Sequence, residues 1–312
     1  MTTAPRLLVV GGRGFIGRHV VARARRDGWT VTSLSRRAVE APGADAAVTE
    51  LTVDATDAVA LRAALAAAPG GARFDYVVNC GGYIDHRPFS NGGRAVFAAH
   101  FDVVLHLLDA IDRAALRGFV NVGSSDEYGN APAPQHEGLR EAPIAPYSLG
   151  KMAATQLLQM LHRTEGLPAS TVRLFLAYGP GQDRARFLPQ IIAGCLADQE
   201  FPTSAGEQQR DFCYIDDVVE GIVAALVTPA AAGGVFNIAS GRAVTIRTII
   251  ERVRAIVGRG RPTFGAIAYR PGENMALVAD VSRAREVLGW TPQVSLEDGL
   301  ARTIAWVAGA AR

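Results

Sequence analysis

The 312-residue chain has almost no lysine. Of its 32 Lys and Arg residues only Lys151 is lysine. Abundant arginine marks no site by itself, but a solitary amine stands out against it. Cysteine is sparse as well. Cys80, Cys195 and Cys213 have no metal-ligand spacing, and an odd count argues against a disulfide framework and for a reducing compartment. The cytoplasm is therefore the expected location. The six histidines contain no HxxxH or HExxH pair, so no metal centre is expected. No apolar run approaches the length of a membrane span. The four-residue apolar run in "MTTAPRLLVVGG" falls short of a signal-peptide core. A net charge of +2 gives no field suited to nucleic acid or a membrane surface. Internal repeats and low-complexity linkers are lacking too.

What the chain does have is alternation. "RLLVV" (6–10) is a short continuous apolar run ahead of glycines, as in a strand buried on both faces. A helical pattern follows over 15–26 and stops at "DG". "TVTSL" (30–34), "DYVVNC" (75–80), "FVNVG" (119–123) and "STVRLF" (170–175) read as further strands. Between them, 57–68, 95–118 and 147–165 read as helices. The stretch 131–146 holds four prolines and reads as a loop at the ligand-binding edge of the sheet. The pattern predicts an α/β fold, a doubly wound parallel sheet of the Rossmann type over residues 1–175. "GVFNIAS" (234–240) is expected to return to that sheet, and 176–233 with 242–312 to form a smaller C-terminal substrate-binding lobe.

"GGRGFIG" places Gly11, Gly14 and Gly17 between the first strand and the first helix. Glycines there permit a tight turn and let backbone N–H groups approach a pyrophosphate at a helix N-terminus. The end of the second strand separates NAD from NADP. An NAD site places a carboxylate there for the ribose 2′-hydroxyl, but this chain has Ser35 followed by Arg36 and Arg37. Guanidinium groups match a 2′-phosphate, so NADP is the expected cofactor and NAD the lesser alternative. Arg13 offers a third contact. Asp54, in "VDATD", is placed to reach the adenine amine, or else serves only as part of a helix cap.

"PYSLGK" sets Tyr147 four residues before Lys151, on one face of a helix. Most such pairs are surface decoration. Beside a nicotinamide cofactor they acquire chemistry. A cation near the phenol, together with the positive nicotinamide ring, is expected to lower its pKa from about 10. Tyr147 would then exchange a proton with a substrate hydroxyl or carbonyl as a hydride moves. A hydroxyl from "GSS" (123–125) is placed to hold the same oxygen.

With "GGRGFIG", "VDATD", "GSSDEYG", "PYSLGK", "RLFLAYGPG", "GEQQRDFCYIDDVVEGI" and "YRPGE…LVADVSRAREVLGW", the chain resembles the extended short-chain dehydrogenase/reductase family, in its nucleotide-sugar epimerase/dehydratase branch. The pieces run in family order over essentially the whole chain. The resemblance implies a catalytic triad at Ser125, Tyr147 and Lys151. Ser124 is the alternative, because "SSDEYG" is one residue shorter than the family form. It implies further cofactor contacts at Phe15, Ile16, Ala55, Cys80 and Gly81. It also implies a nucleoside diphosphate sugar as partner, with Arg210 and Arg270 on the diphosphate, Phe187 and Leu188 near the base, and Tyr178 and Ser124 on the substrate. Leu176 and His100 stand where the family carries Asn. A homodimer through helices 95–117 and 147–165 is expected by the same resemblance.

Three reactions share such a site. A ketoreductase consumes NADPH, a 4-epimerase recycles its cofactor, and a 4,6-dehydratase needs an added acid and base, for which Asp126 and Glu127 are the candidates. The NADP signature favours reduction of a 4-keto-6-deoxyhexose. A non-catalytic NADP-binding regulator is the remaining possibility, and such proteins tend to lose the Tyr or the Lys.

Overall fold

The computed structural model describes residues 4–37, 48–269 and 272–309. The first half alternates strands and helices: β1 (Arg6–Val10), α1 (Phe15–Arg26), β2 (Thr30–Ser35), β3 (Val48–Thr52), α2 (Ala58–Ala67) and β4 (Tyr76–Asn79). Next come α3 (Arg94–Ala110), β5 (Gly118–Ser124), α4 (Pro146–Glu165) and β6 (Ala169–Leu174). The remainder is β7 (Leu176–Tyr178), α5 (Phe187–Leu196), β8 (Glu200–Pro202), β9 (Gln209–Tyr214), α6 (Ile215–Val227), β10 (Val235–Ile238) and β11 (Ala243–Thr245). It ends with α7 (Ile246–Val257), β12 (Arg261–Thr263), β13 (Ala276–Leu277), α8 (Ser282–Leu288) and α9 (Leu296–Gly309).

Seven strands form one parallel sheet in the order β10-β6-β5-β4-β1-β2-β3. The continuous apolar runs explain its two covered faces. In β1, Leu7 and Val9 enter one core with α1 and α6, while Leu8 and Val10 enter the other with α2, α3 and α4. Strand period two thus delivers alternate side chains to opposite layers. "GVFNIAS" does supply a strand, with Val235 paired to Thr171 and Ile238 to Leu174.

Two outcomes differ from the sequence pattern. The third helix stops at Ala110, because Asp112 accepts from the Ala114 N–H and starts a separate short turn. Side-chain capping of this kind outcompetes helix continuation. Helix α6 lies in the segment expected over the strand ends, yet it packs beneath the sheet. Val218, Ile222 and Leu226 share a core with Val120 and Val172, and Arg23 of α1 pairs with Glu220 at 2.6 Å. The other C-terminal elements do gather apart, with β11, β9 and β13 in a second sheet and β7 paired to β9.

Candidate active site

The strands β1, β4 and β5 run in parallel, so the loops after them emerge at one edge. At the first loop, Gly11 has φ +76 and its N–H donates to Leu34 O at 2.7 Å. Gly14 is the N-cap of α1, with no side-chain bond to the cap and no acidic residue in the first turn. A Cβ on Gly17 would overlap the carbonyl of Gly11, and one on Gly11 would sit 2.9 Å from Cys80 O. The loop is therefore as close to its neighbours as backbone permits. It leaves uncapped N–H donors at a positive helix end, which fits the pyrophosphate of a nicotinamide dinucleotide. Phe15 and Ile16 open that helix and pack on the core beneath it.

Around the end of β2, Ser35 is buried while Arg36 and Arg37 are exposed. Arg36 lies 5.9 Å from the Tyr83 ring centre and 4.0 Å from Asp54 Oδ2. Arg13 is committed elsewhere. It donates to the carbonyl of Arg37 and pairs with Glu50 at 3.0 Å, so its charge is already countered. Asp54 is exposed, and what desolvation it has works against its charge. Bonds from the Thr56 N–H and hydroxyl and the Arg36 charge still hold it below the usual carboxylate range. Ala55 is buried behind it, its carbonyl bonded by His106 at 3.1 Å.

Tyr147 and Lys151 occupy the first turns of α4, which starts on Pro146, a residue preorganised for a helix start. Both are buried. Lys151 Nζ donates to Val122 O at 2.7 Å. Burial lowers its pKa from 10.5 to about 8, against the opposing charges of Glu127 and Cys80. Cys80, just past β4, is pushed up to about 12 by burial. Gly81 N–H is held by Asn79 Oδ1 at 3.0 Å. The Ser124 side chain is the hydroxyl neighbour that acts on the Tyr147 phenol. The expected depression of its pKa is not produced by protein groups. Burial raises it, with Asp126 and Glu127 adding to the rise and Ser124 and Arg186 opposing. His100 packs edge-on to the Tyr147 ring at 4.8 Å. Its Nε2 donates to Tyr83 O at 2.8 Å, and burial with the nearby Lys151 lowers its pKa to about 3, so the imidazole is neutral.

Several candidates are repositioned by the structure. Of the two candidate serines, Ser124 is the one that acts on the Tyr147 phenol, and Tyr128 further along the turn is anchored through its hydroxyl to Asn237 at 2.7 Å. Ser125 is buried in the turn that follows. Glu127 is fully buried and accepts from Ser124 N, Thr155 Oγ1 and Arg173 at 2.9–3.0 Å. Arg173 also reaches Glu141 at 2.6 Å. A carboxylate so engaged is a structural ion-pair member, and it does not supply a base to a substrate. Asp126 is only partly buried and is paired with His86 at 3.0 Å. Tyr178 is 2% exposed, packed on Phe212 and Tyr214 with its hydroxyl on Leu296 O, which removes it from the substrate. Leu188 is equally buried in the core, while Phe187 is partly buried at the start of α5. Leu176 packs on the same core from β7. Arg210, on β9, is half-buried, paired with Glu273 and within the field of Asp126. Arg270 lies outside the described residues. Sequence patterns did not single out His86 and Arg186. The one signal for His86 was its place in the loop after β4, at the ligand edge.

Residues 7–239 match the NAD dependent epimerase/dehydratase family. The chain belongs to this family, within the extended short-chain dehydrogenases. It is 30% identical over 213 residues to an uncharacterized UDP-glucose epimerase, YtcB, of Bacillus subtilis, covering 68% of this chain and 67% of that one. It is 30% identical to the dTDP-glucose 4,6-dehydratase of Streptomyces niveus, covering 64% of this chain but only 60% of the relative. Similarity to the UDP-glucose 4-epimerase of Mycolicibacterium smegmatis, at 31% identity, extends over 96% of this chain and 97% of the relative. Among solved structures, UDP-glucuronic acid 4-epimerase from Bacillus cereus, in complex with UDP-glucuronic acid and NAD, superimposes with a TM-score of 0.85 at 26% identity, covering 98% of this chain and 99% of that one. Among the described residues no cluster of His, Cys, Asp and Glu suits a metal, and no helix is long and apolar enough to cross a membrane.

Proposed function

We propose that the protein transfers a hydride at C4 of a nucleoside diphosphate hexose, with Ser124, Tyr147 and Lys151 as the reacting set. The carrying observation is the buried Tyr147 phenol, influenced by the Ser124 side chain and set one helical turn from buried Lys151, whose Nζ donates to Val122 O at 2.7 Å. A bound nicotinamide dinucleotide would accept or supply the hydride. Tyr147 takes the proton of the C4 hydroxyl, or returns one to a C4 ketone, and Ser124 holds the same oxygen. Lys151 would hold the nicotinamide ribose. Because protein groups raise the Tyr147 pKa, the phenol is held protonated and ready to donate, and only added positive charge shifts it toward a base.

The outcome best supported is 4-epimerisation, in which the sugar is oxidised and reduced again. Full-length similarity to a UDP-glucose 4-epimerase supports it. The commitment of Glu127 to Arg173 weighs against the dehydratase pair. Reduction of a 4-keto-6-deoxyhexose is the second reading, favoured by Ser35, Arg36 and Arg37. Those residues also support NADP(H) over NAD(H). Replacing both arginines by Ala is expected to weaken NADP binding at least tenfold, with each charge-assisted bond worth about 1.5–3 kcal/mol, and to leave NAD binding nearly unchanged. Equal affinity of the unmodified protein for both cofactors overturns the preference. Incubation with UDP- and dTDP-hexoses, and separately with their 4-keto-6-deoxy forms plus NADPH, separates epimerase from reductase by product mass and NADPH absorbance. No turnover of any of them removes the proposal.

A further inference from the structure

Glu127 has no part in the hydride transfer just described, yet it is tied to each residue proposed for it. Its Oε1 accepts from the Ser124 N–H at 2.9 Å, so it holds the main chain that carries the Ser124 hydroxyl. Its Oε2 accepts from Thr155 Oγ1 at 3.0 Å, and that hydroxyl is also 3.1 Å from the carbonyl of Lys151, one helical turn back on α4. Gly123 in β5 leaves room for the carboxylate, since any Cβ there would overlap Glu127 Oε1. From β6, Arg173 donates to Glu127 through Nε at 3.0 Å, with its guanidinium 4.5 Å from the centre of the Tyr128 ring. The same guanidinium reaches Glu141, in the proline-rich loop before α4, which is the more exposed of the two carboxylates. Two cations, Lys151 and Arg173, are thus set against two carboxylates, and Glu127 acts on both cations. The other titratable groups beside Lys151 carry no charge. Cys80, past β4, is a thiol pushed up to about 12 by burial, His100 on α3 is a neutral imidazole, and Tyr147 on the same helix is a phenol kept protonated by burial. Among the described residues, Glu127 is the carboxylate that acts on the amine.

We propose that Glu127, clamped by Arg173, is a positioning residue of the C4 site, which fixes the Ser124 main chain and gives Lys151 its buried counter-charge. This inference rests on the roles proposed above for Ser124, Tyr147 and Lys151. Glu127 is fully buried, so it acts through those residues and not on the sugar. Removal of its carboxylate frees the Ser124 oxygen to drift from the phenol, and a misplacement of about 1 Å in such a site can cost about 100-fold in rate. It also leaves Lys151 in a desolvated place without a nearby anion, where the amine gives up its proton more readily. One side chain therefore sets both the geometry of the hydroxyl pair and the charge of the lysine beside it.

The test uses the solitary lysine. Lys151 is the only lysine in the chain, so the full-length protein labelled with carbon-13 lysine gives one ε-methylene NMR signal, and its movement with pH reads the ionisation of that amine directly. No substrate is needed, so this reading stands even if the sugar chemistry proposed above fails. Turnover of UDP-glucose, and of dTDP-4-keto-6-deoxyglucose with NADPH, is measured separately. In Glu127→Gln the Lys151 midpoint is expected to move about one pH unit or more below that of the unmodified protein, and turnover to fall about tenfold or more. Glu141→Gln takes a carboxylate from the same guanidinium without touching Ser124 or Lys151, and is expected to move the midpoint far less. Glu127→Asp keeps a charge against Arg173, and with it the folded core, but its shorter side chain draws away from Ser124. Its lysine signal is expected to titrate as in the unmodified protein while turnover still falls about tenfold. It carries the test if the Gln variant does not fold. An unchanged midpoint in Glu127→Gln, a shift as large in Glu141→Gln, or full turnover in Glu127→Asp overturns the proposal.

Discussion

Tyr147 is a phenol whose protein surroundings oppose its ionisation, and that sets what its removal does. Tyr147→Phe keeps the buried ring and its packing on His100 but deletes the one group that carries the proton. Turnover is expected to fall about 10²–10⁴-fold while cofactor affinity stays constant, as measured by steady-state kinetics and equilibrium titration. Full activity in the Phe variant overturns the assignment. Lys151 allows a cleaner measurement because the chain has no other lysine. Its folded pKa is lowered from 10.5 to about 8. Between those values the unfolded chain binds more protons than the folded one, so stability rises with pH across that window, and the burial penalty is fully present below 8. The stability difference between the unmodified protein and Lys151→Met, from chemical denaturation at pH 8 and pH 10, is expected to shift by about 2 kcal/mol in favour of the lysine form at the higher pH. A constant difference contradicts the lowered pKa. At this scale the pair itself was legible, because spacing on a helix is local. The choice between Ser124 and Ser125 was not. It depends on how a one-residue shortening is absorbed, and Tyr128, which ends the shortened turn, is anchored on Asn237, far along the chain. The role of Glu127 was hidden for the same reason, since its partner Arg173 lies on β6.

Elements were legible where they are long and their ends carry their own signals. Helix α1 begins and stops where the glycine loop and "DG" set it, and the apolar runs of β1 and β4 to β6 mark strands covered on both faces. The end of α3 escaped because Ile111, Ala114 and Ala115 continue an apolar pattern that only the Asp112 cap interrupts. At the junction of β1 and α1, the third glycine of the loop acts by size, not by backbone freedom. Gly17 takes no left-handed conformation, but any Cβ there meets the Gly11 carbonyl. Gly17→Ala is therefore expected to push α1 away from the loop. Overpacking of this kind costs about 1–3 kcal/mol, and displaced N–H donors should weaken dinucleotide binding more than tenfold. Thermal unfolding with and without NADP, compared with the unmodified protein, checks both effects. An unchanged midpoint and unchanged affinity show that the loop yields without consequence.

Over the whole molecule, the sequence suggests a nucleotide-binding unit followed by a substrate lobe, and the core shows how the two depend on each other. Residues 1–175 contain six of the seven sheet strands but neither β10 nor α6. Without β10, the backbone of β6 loses its partner along one side. Without α6, Val120, Val122 and Val172 lose the apolar cover given by Val218, Ile222, Ala225 and Leu226. Both defects are hazardous, because an open strand edge and an exposed apolar face promote association. The same core continues through Phe212 and Ile215 to Ile249, Ile250 and Leu300 of the C-terminal elements, so apolar burial is shared across the proposed boundary. The full chain is accordingly expected to unfold in one cooperative transition by calorimetry. A fragment of residues 1–175 is expected to be insoluble or to lack a cooperative transition. Extending it to residue 241 restores both α6 and β10 and should recover solubility first. A fragment 1–175 that is monomeric in sedimentation and melts cooperatively contradicts this account, and shows that α1 and the sheet alone close the core.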